Sequence, residues 1–135
     1  MPAIMPHARI ATVTLVVDDY DRAIAWYTEK LGFALLADTP LGGGKRWVLV
    51  APSADAGARL LLATADGEDQ KNRIGDQTGG RVGFFLETED FARDHAAFLA
   101  RGVRFREEPR HESYATVAVF EDLYGNLWDL LEPSI

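Results

Sequence analysis

TLVVDDYDRAIAWYTEKLGF (Thr14–Phe33) is echoed later in the chain by GFFLETEDFARDHAAFLARGVRF (Gly83–Phe105). With Asp19 set against Asp90, an offset of 71 residues aligns Tyr20 with Phe91, Arg22 with Arg93, Ala25 with Ala96 and Tyr27 with Phe98. One residue drops out before the helix ends, so Gly32 meets Gly102. A repeat at this period means one supersecondary unit present twice. In each copy a β-branched apolar run reads as a buried strand. An Asp then offers its carboxylate to the first turn of a helix. Tyr20, Ile24, Tyr27 and Leu31 share one helical face, and Gly32 supplies a left-handed stop.

Working outward, the first copy reads as a strand at Ile10–Val17, a helix from Tyr20, and strands at Phe33–Thr39, Arg46–Ala51 and Arg59–Thr64. Gly42-Gly43-Gly44 makes the turn between the second and third strands. The second copy reads as a strand at Val82–Thr88, a helix at Phe91–Arg101, and strands at Arg104–Glu107, Ala115–Glu121 and Leu127–Glu132. Tyr124-Gly125-Asn126 makes its last turn. The fold class is therefore α+β, as two tandem βαβββ modules. A single domain over 1–135 is expected, with module one at about 8–64, a linker at 65–80 and module two at about 81–133. The linker is polar and glycine-rich, a composition that buries no core, and reads as a connection or a mobile loop.

Composition removes several function classes. Apolar residues make up 47% of the chain, enough for a packed core. There is no cysteine, so no disulfide, thiol nucleophile or thiolate metal site exists. Fourteen basic against 21 acidic residues, net −7, argue against nucleic acid as a partner and are compatible with a cationic guest. No apolar run is long enough to span a bilayer, and MPAIMPHARI lacks the apolar stretch of a secretory signal. A cytoplasmic location is expected. Gly42-Gly43-Gly44-Lys45 lacks the spacing of a phosphate loop, and no G-x-S-x-G nucleophile motif occurs.

The duplicated helices, with the closing FEDLYGNLWDLLE (Phe120–Glu132), resemble the vicinal oxygen chelate superfamily. It includes glyoxalase I, extradiol dioxygenases, fosfomycin-resistance enzymes and bleomycin-resistance proteins. The resemblance runs from about Ile10 to Glu132 and implies a curled eight-stranded sheet around a cleft, commonly in a homodimer. In the metal-dependent members, ligands come from the first and last strand of each module. Carried over, those positions fall on Thr12, on Leu60 or Leu61, on Gly83 and on Asp129. A divalent transition metal wants imidazole or carboxylate donors, and this set offers one. His7, His95 and His111 show no metal-binding spacing, and His95 aligns with Ile24 as a packing residue. No cofactor is expected.

What remains is a cleft for an organic molecule. Asp129 interrupts an apolar strand, and alternation puts it on one face with Leu127 and Leu131, opposite Trp128 and Leu130. Desolvation there would raise its pKa and equip it for acid/base work. Trp47 and Tyr114 are candidate aromatic walls, and the small residues Thr12 and Gly83 would leave room for a ligand. Phe84 and Phe85 are expected on opposite faces, with Phe85 on the helix side. The sequence thus points to a small-molecule-binding homodimer without a catalytic metal. The alternative is a glyoxalase-like lyase or extradiol-dioxygenase-like enzyme using a divalent metal or Asp129 as acid/base.

Overall fold

The structure is a computed structural model that describes residues 4–55 and 57–134. Among them lie nine strands and three helices: β1 Thr12–Val17, α1 Tyr20–Glu29, β2 Ala34–Gly42, β3 Lys45–Ala51, β4 Arg59–Thr64, α2 Glu68–Lys71, β5 Val82–Glu87, α3 Phe91–Ala100, β6 Arg104–Phe105, β7 Arg110–His111, β8 Ala115–Glu121 and β9 Leu127–Pro133. The two long helices start where the sequence places them. Asp19 accepts from Arg22 N at 2.7 Å and Asp90 from Arg93 N at 3.0 Å, each satisfying a first-turn amide.

Backbone pairing divides the strands between two sheets, ordered β1-β4-β3-β2 and β5-β9-β8-β6, with β7 also on β8. β1 runs parallel to β4 and β5 parallel to β9, so each sheet repeats the other's topology. β6 and β7 are two pieces of the edge strand that β2 forms unbroken in the first sheet. The segment around His111, expected from sequence to be a connection, therefore begins with a short strand. Pro109 has no amide hydrogen to give to a ladder, and it stands in the gap between the two pieces.

One face of each sheet carries its helix, and these faces share a single apolar core. Leu15, Val17, Val48, Val50, Leu60 and Leu62 from the first sheet join Phe120, Trp128 and Leu130 from the second. Tyr27 on α1 lies 5.6 Å from Phe33 and 5.9 Å from Trp128, centroid to centroid. Its hydroxyl donates to Asp122 Oδ2 at 2.6 Å. Asp122 is buried and also accepts from Asn126 Nδ2 at the same oxygen, and from the Tyr124 and Asn126 amides at Oδ1. The acid of D-L-Y-G-N thus builds its own turn and fixes it to the other module. At the helix ends, Lys30 Nζ donates to Arg101 O at 2.8 Å and Arg101 Nη1 to Lys30 O at 3.3 Å. These equivalent residues exchange cations across the pseudo-twofold, where C-terminal carbonyls favour positive charge.

The linker is more ordered than its composition suggests. It contains α2, and the Gln77 amide bridges β1, accepting from Val16 N at 2.9 Å and donating to Thr14 O at 2.7 Å. A side chain here does the work of a neighbouring strand.

Two outcomes follow for the seam. Asp122→Ala leaves the buried Tyr27 hydroxyl and Asn126 amide without an acceptor, so it should cost about 3 kcal/mol in urea unfolding, and Tyr27→Phe about 1 kcal/mol. Burial first, and the Asp122 charge second, push the Tyr27 hydroxyl well above its ordinary value. Its contribution is therefore complete below about pH 10, the unfolded value, and is lost as pH rises beyond it. Tyr27→Phe should flatten the alkaline limb of the stability curve; an unchanged limb would show that another group sets it.

Candidate functional site

The faces without helices hold the candidate site. On the first sheet, Val48 and Val50 are in the core, so alternation turns Trp47 and Leu49 the other way, with Leu61 opposite Leu49. Thr12 and Thr14 lie on that same face of β1, in register with Arg59 and Leu61. Of the two leucines equivalent in sequence to a last-strand position, Leu60 is a core residue and Leu61 lies on the open face. Trp47 is 42% exposed, at the end of β3 that follows the glycine turn.

On the second sheet Trp128 and Leu130 are buried under the helices, and Asp129 projects from the opposite face with Leu127 and Leu131, as alternation implies. Its cross-strand neighbours are Val119 on β8 and Phe85 on β5. Phe85 reverses the sequence expectation: it is 65% exposed on the open face, while Phe84 stacks on Trp128 at 4.6 Å in the core. The repeat accounts for this: Phe85 is the counterpart of Thr14, on the open face of β1, and the one-residue shift in the β5–β9 pairing falls before it, between Val82 and Phe84.

The room expected at Gly83 is also taken. A Cβ built there would stand 2.8 Å from the Thr78 methyl, so the linker fills the space that the missing side chain leaves. Thr12, Trp47 and Asp129 keep their place on open faces; Gly83 offers no opening. Tyr114 is exposed at the start of β8, and its carbonyl accepts from Ser134 N.

Asp129 has the most distinctive electrostatics. Its Oδ1 is buried and has no hydrogen-bond partner. Arg110 is near enough to act on it through its charge, but its guanidinium is bonded elsewhere, to Glu107 Oε1 at 2.9 Å and Glu112 Oε1 at 3.3 Å. Glu107 is fixed in turn by the Val119 amide at its Oε2, 3.0 Å. Desolvation raises the Asp129 pKa; Arg110 opposes the shift and Glu107 adds to it. Nothing in the sequence marks Arg110 and Glu107, because their approach depends on β7 pairing with β8. The other buried orphan is Trp128 Nε1, which lies beside the Tyr27 hydroxyl without reaching hydrogen-bond geometry.

The positions that the resemblance carries over as metal ligands, Thr12, Leu60 or Leu61, Gly83 and Asp129, offer one ionisable group among four. Among the described residues no three His, Cys, Asp or Glu side chains converge on one point. His95 is spent on packing between Phe91 and Phe105, and His111 is exposed beside Thr116. These donors do not fit a transition-metal centre.

A raised pKa means the folded state favours the protonated carboxyl. Its contribution is therefore present below the unfolded value of about 3.9 and lost as pH rises through the folded value. Asp129→Asn should unfold at higher urea than the parent at pH 7, with the gain shrinking toward pH 3. A loss of stability at pH 7 would show that the carboxylate has a partner in solution.

The chain matches the Glyoxalase/Bleomycin resistance protein/Dioxygenase superfamily over residues 9–130. An uncharacterized protein of Shewanella frigidimarina (strain NCIMB 400) is 51% identical over 124 residues, covering 91% of this chain and 92% of its own. Among solved structures, UcmS2 superposes with a TM-score of 0.80 at 32% identity, covering 93% of this chain and 98% of its own. TnmS3, an antibiotic binding protein from Streptomyces sp. CB03234, superposes with a TM-score of 0.77 at 31% identity, covering 97% and 100%. Among the described residues no helix is long and apolar enough to cross a membrane. The matched length and these identities establish that the chain belongs to the Glyoxalase/Bleomycin resistance protein/Dioxygenase superfamily.

Proposed function

We propose that this protein binds a small organic molecule with a flat aromatic part on the open faces of its sheets, acting as a cytoplasmic homodimer and without a catalytic metal. The carrying observation is the open face itself: exposed aromatic rings at Trp47 and Phe85, with an unpartnered carboxylate oxygen on Asp129. Aromatic faces bind flat ligands through area and stacking, and a few placed polar groups set orientation. A ligand amine or hydroxyl that donates to Asp129 Oδ1 would satisfy the one buried carboxylate oxygen that is left without a partner among the described residues. The likeness to TnmS3, which binds an antibiotic, supports this class of guest. Thr12 and Tyr114 would border the site. A second copy would cover large apolar side chains that one chain leaves in water.

The test is a fluorescence titration against planar aromatic antibiotics with and without an amine, doxorubicin among them, with the compound then recovered and weighed by mass spectrometry. The expected result is saturable quenching and an unchanged compound. Trp47→Ala should weaken binding about tenfold or more, and Asp129→Asn should weaken amine-bearing compounds more than neutral ones. No binder across the panel would contradict the reading. A chemically altered compound, with turnover lost in Asp129→Asn, would favour an enzyme with Asp129 as acid/base.

A further inference from the structure

Arg110 and Asp129 carry opposite charges on one open face and are not joined to each other. On β8, Ala118 and Phe120 are core residues, so Val117 and Val119 turn the other way. Arg110 on β7 lies opposite Val117, and Asp129 on β9 lies opposite Val119. The two therefore flank β8 on the open face, near enough that the arginine's charge acts on the carboxylate. Arg106, the other cation of this edge, is turned to Glu121 at 3.6 Å. A guanidinium only donates and an ionised carboxylate only accepts, so such a pair closes wherever both groups are free to meet. Asp129 Oδ1 nevertheless stays buried, without a partner among the described residues.

The restraint is on the arginine. Its Nε donates to Glu107 Oε1 at 2.9 Å, and Glu107 Oε2 accepts from Val119 N at 3.0 Å. Glu107 lies in the break between β6 and β7, next to Arg106, whose amide donates to Val119 O at 2.8 Å. Its carboxylate thus stands where a ladder carbonyl would otherwise meet the Val119 amide. Glu112 holds the same guanidinium less closely, at 3.3 Å, and its side chain is 40% exposed against 28% for Glu107. Exposed ion pairs contribute little. A backbone amide fixes Glu107, and Glu107 fixes Arg110.

We infer that Glu107 is a positioning residue: it withholds Arg110 from Asp129 and so keeps that carboxylate free for an amine or hydroxyl on the guest. Its purpose rests on the ligand binding proposed above, whereas the withholding itself is readable without any ligand.

Glu107→Gln separates the two tasks of the side chain. The glutamine oxygen still accepts from Val119 N, while its amide nitrogen offers Arg110 nothing to donate to. Freed, the guanidinium should close on Asp129. The readout is the sign of the Asp129→Asn effect on the urea midpoint at pH 7, taken in three backgrounds. In the parent the substitution removes a partnerless carboxylate and should raise the midpoint. In Glu107→Gln it breaks an ion pair and should lower the midpoint. In Glu107→Gln/Arg110→Gln no guanidinium is left to lose, and the midpoint should rise again. A glutamate that merely braced the break between β6 and β7 would lower every midpoint and leave the sign alone, so an unchanged sign in Glu107→Gln overturns the inference. A midpoint already lowered in the parent would place Arg110 on Asp129 with Glu107 present, and overturns it equally.

The guest is read by fluorescence titration with doxorubicin, which carries an amine. Glu107→Gln should bind it about tenfold more weakly, and the double substitution should recover most of the loss. A compound seated instead in the apolar cavity of about 470 Å³ between Phe33 and Trp128 would bind all three proteins alike, and would overturn the link from Glu107 to the guest. A reversed sign with no binder in the aromatic panel removes the binding reading and leaves the withholding in place. Binding with an unreversed sign does the opposite.

Discussion

The buried hydrogen bond from Tyr27 to Asp122 is the constraint on which the rest of the molecule depends. Two sheets with no backbone ladder between them must be held by side chains. An aromatic cluster alone tolerates sliding, because burial has no direction. The Tyr27 hydroxyl gives that cluster one fixed register, since Asp122 is already committed to its own turn by three other donors. A buried carboxylate that lost these partners would cost more than it contributes when satisfied. The same bond sets where Trp128 lies, and Trp128 fixes which face of β9 carries Asp129.

The duplication makes the architecture legible in the sequence itself. Both capping aspartates, both glycine stops, and β4 and β8 to the residue follow from the pattern. What escapes it depends on contacts between distant segments. Asp122 looks like a turn residue because its partner Tyr27 is 95 positions away. Gln77 looks like linker polarity, yet its amide completes a strand edge. The helix-side expectation for Phe85 fails because it departs from the repeat, in which Phe85 aligns with Thr14 on the open face of β1. Asp129 stands out because a lone carboxylate in an apolar strand is a local signal. Arg110 and Glu107 carry no such signal.

The modules diverge where the repeat is free to do so. Tyr27 has Phe98 as its counterpart, which cannot make the seam bond. The linker plugs one strand edge, that of β1. The open face of the second sheet gains a carboxylate and an ion-paired arginine. In the first sheet that face carries threonines, leucines and Trp47. An exact repeat would give two equivalent open faces; here the first carries Trp47 and the second carries Phe85 beside Asp129. Such a pair suits a guest that is flat at one end and polar at the other.

The most direct measurement is amide chemical-shift mapping of the ¹⁵N-labelled protein with the tightest compound from the aromatic panel. A ligand seated on the open faces predicts saturable shifts at Trp47, Leu61, Phe85, Val119 and Asp129, with the core residues Val50 and Leu130 little moved. Shifts centred on the cavity between Phe33 and Trp128, with the open faces silent, would contradict it.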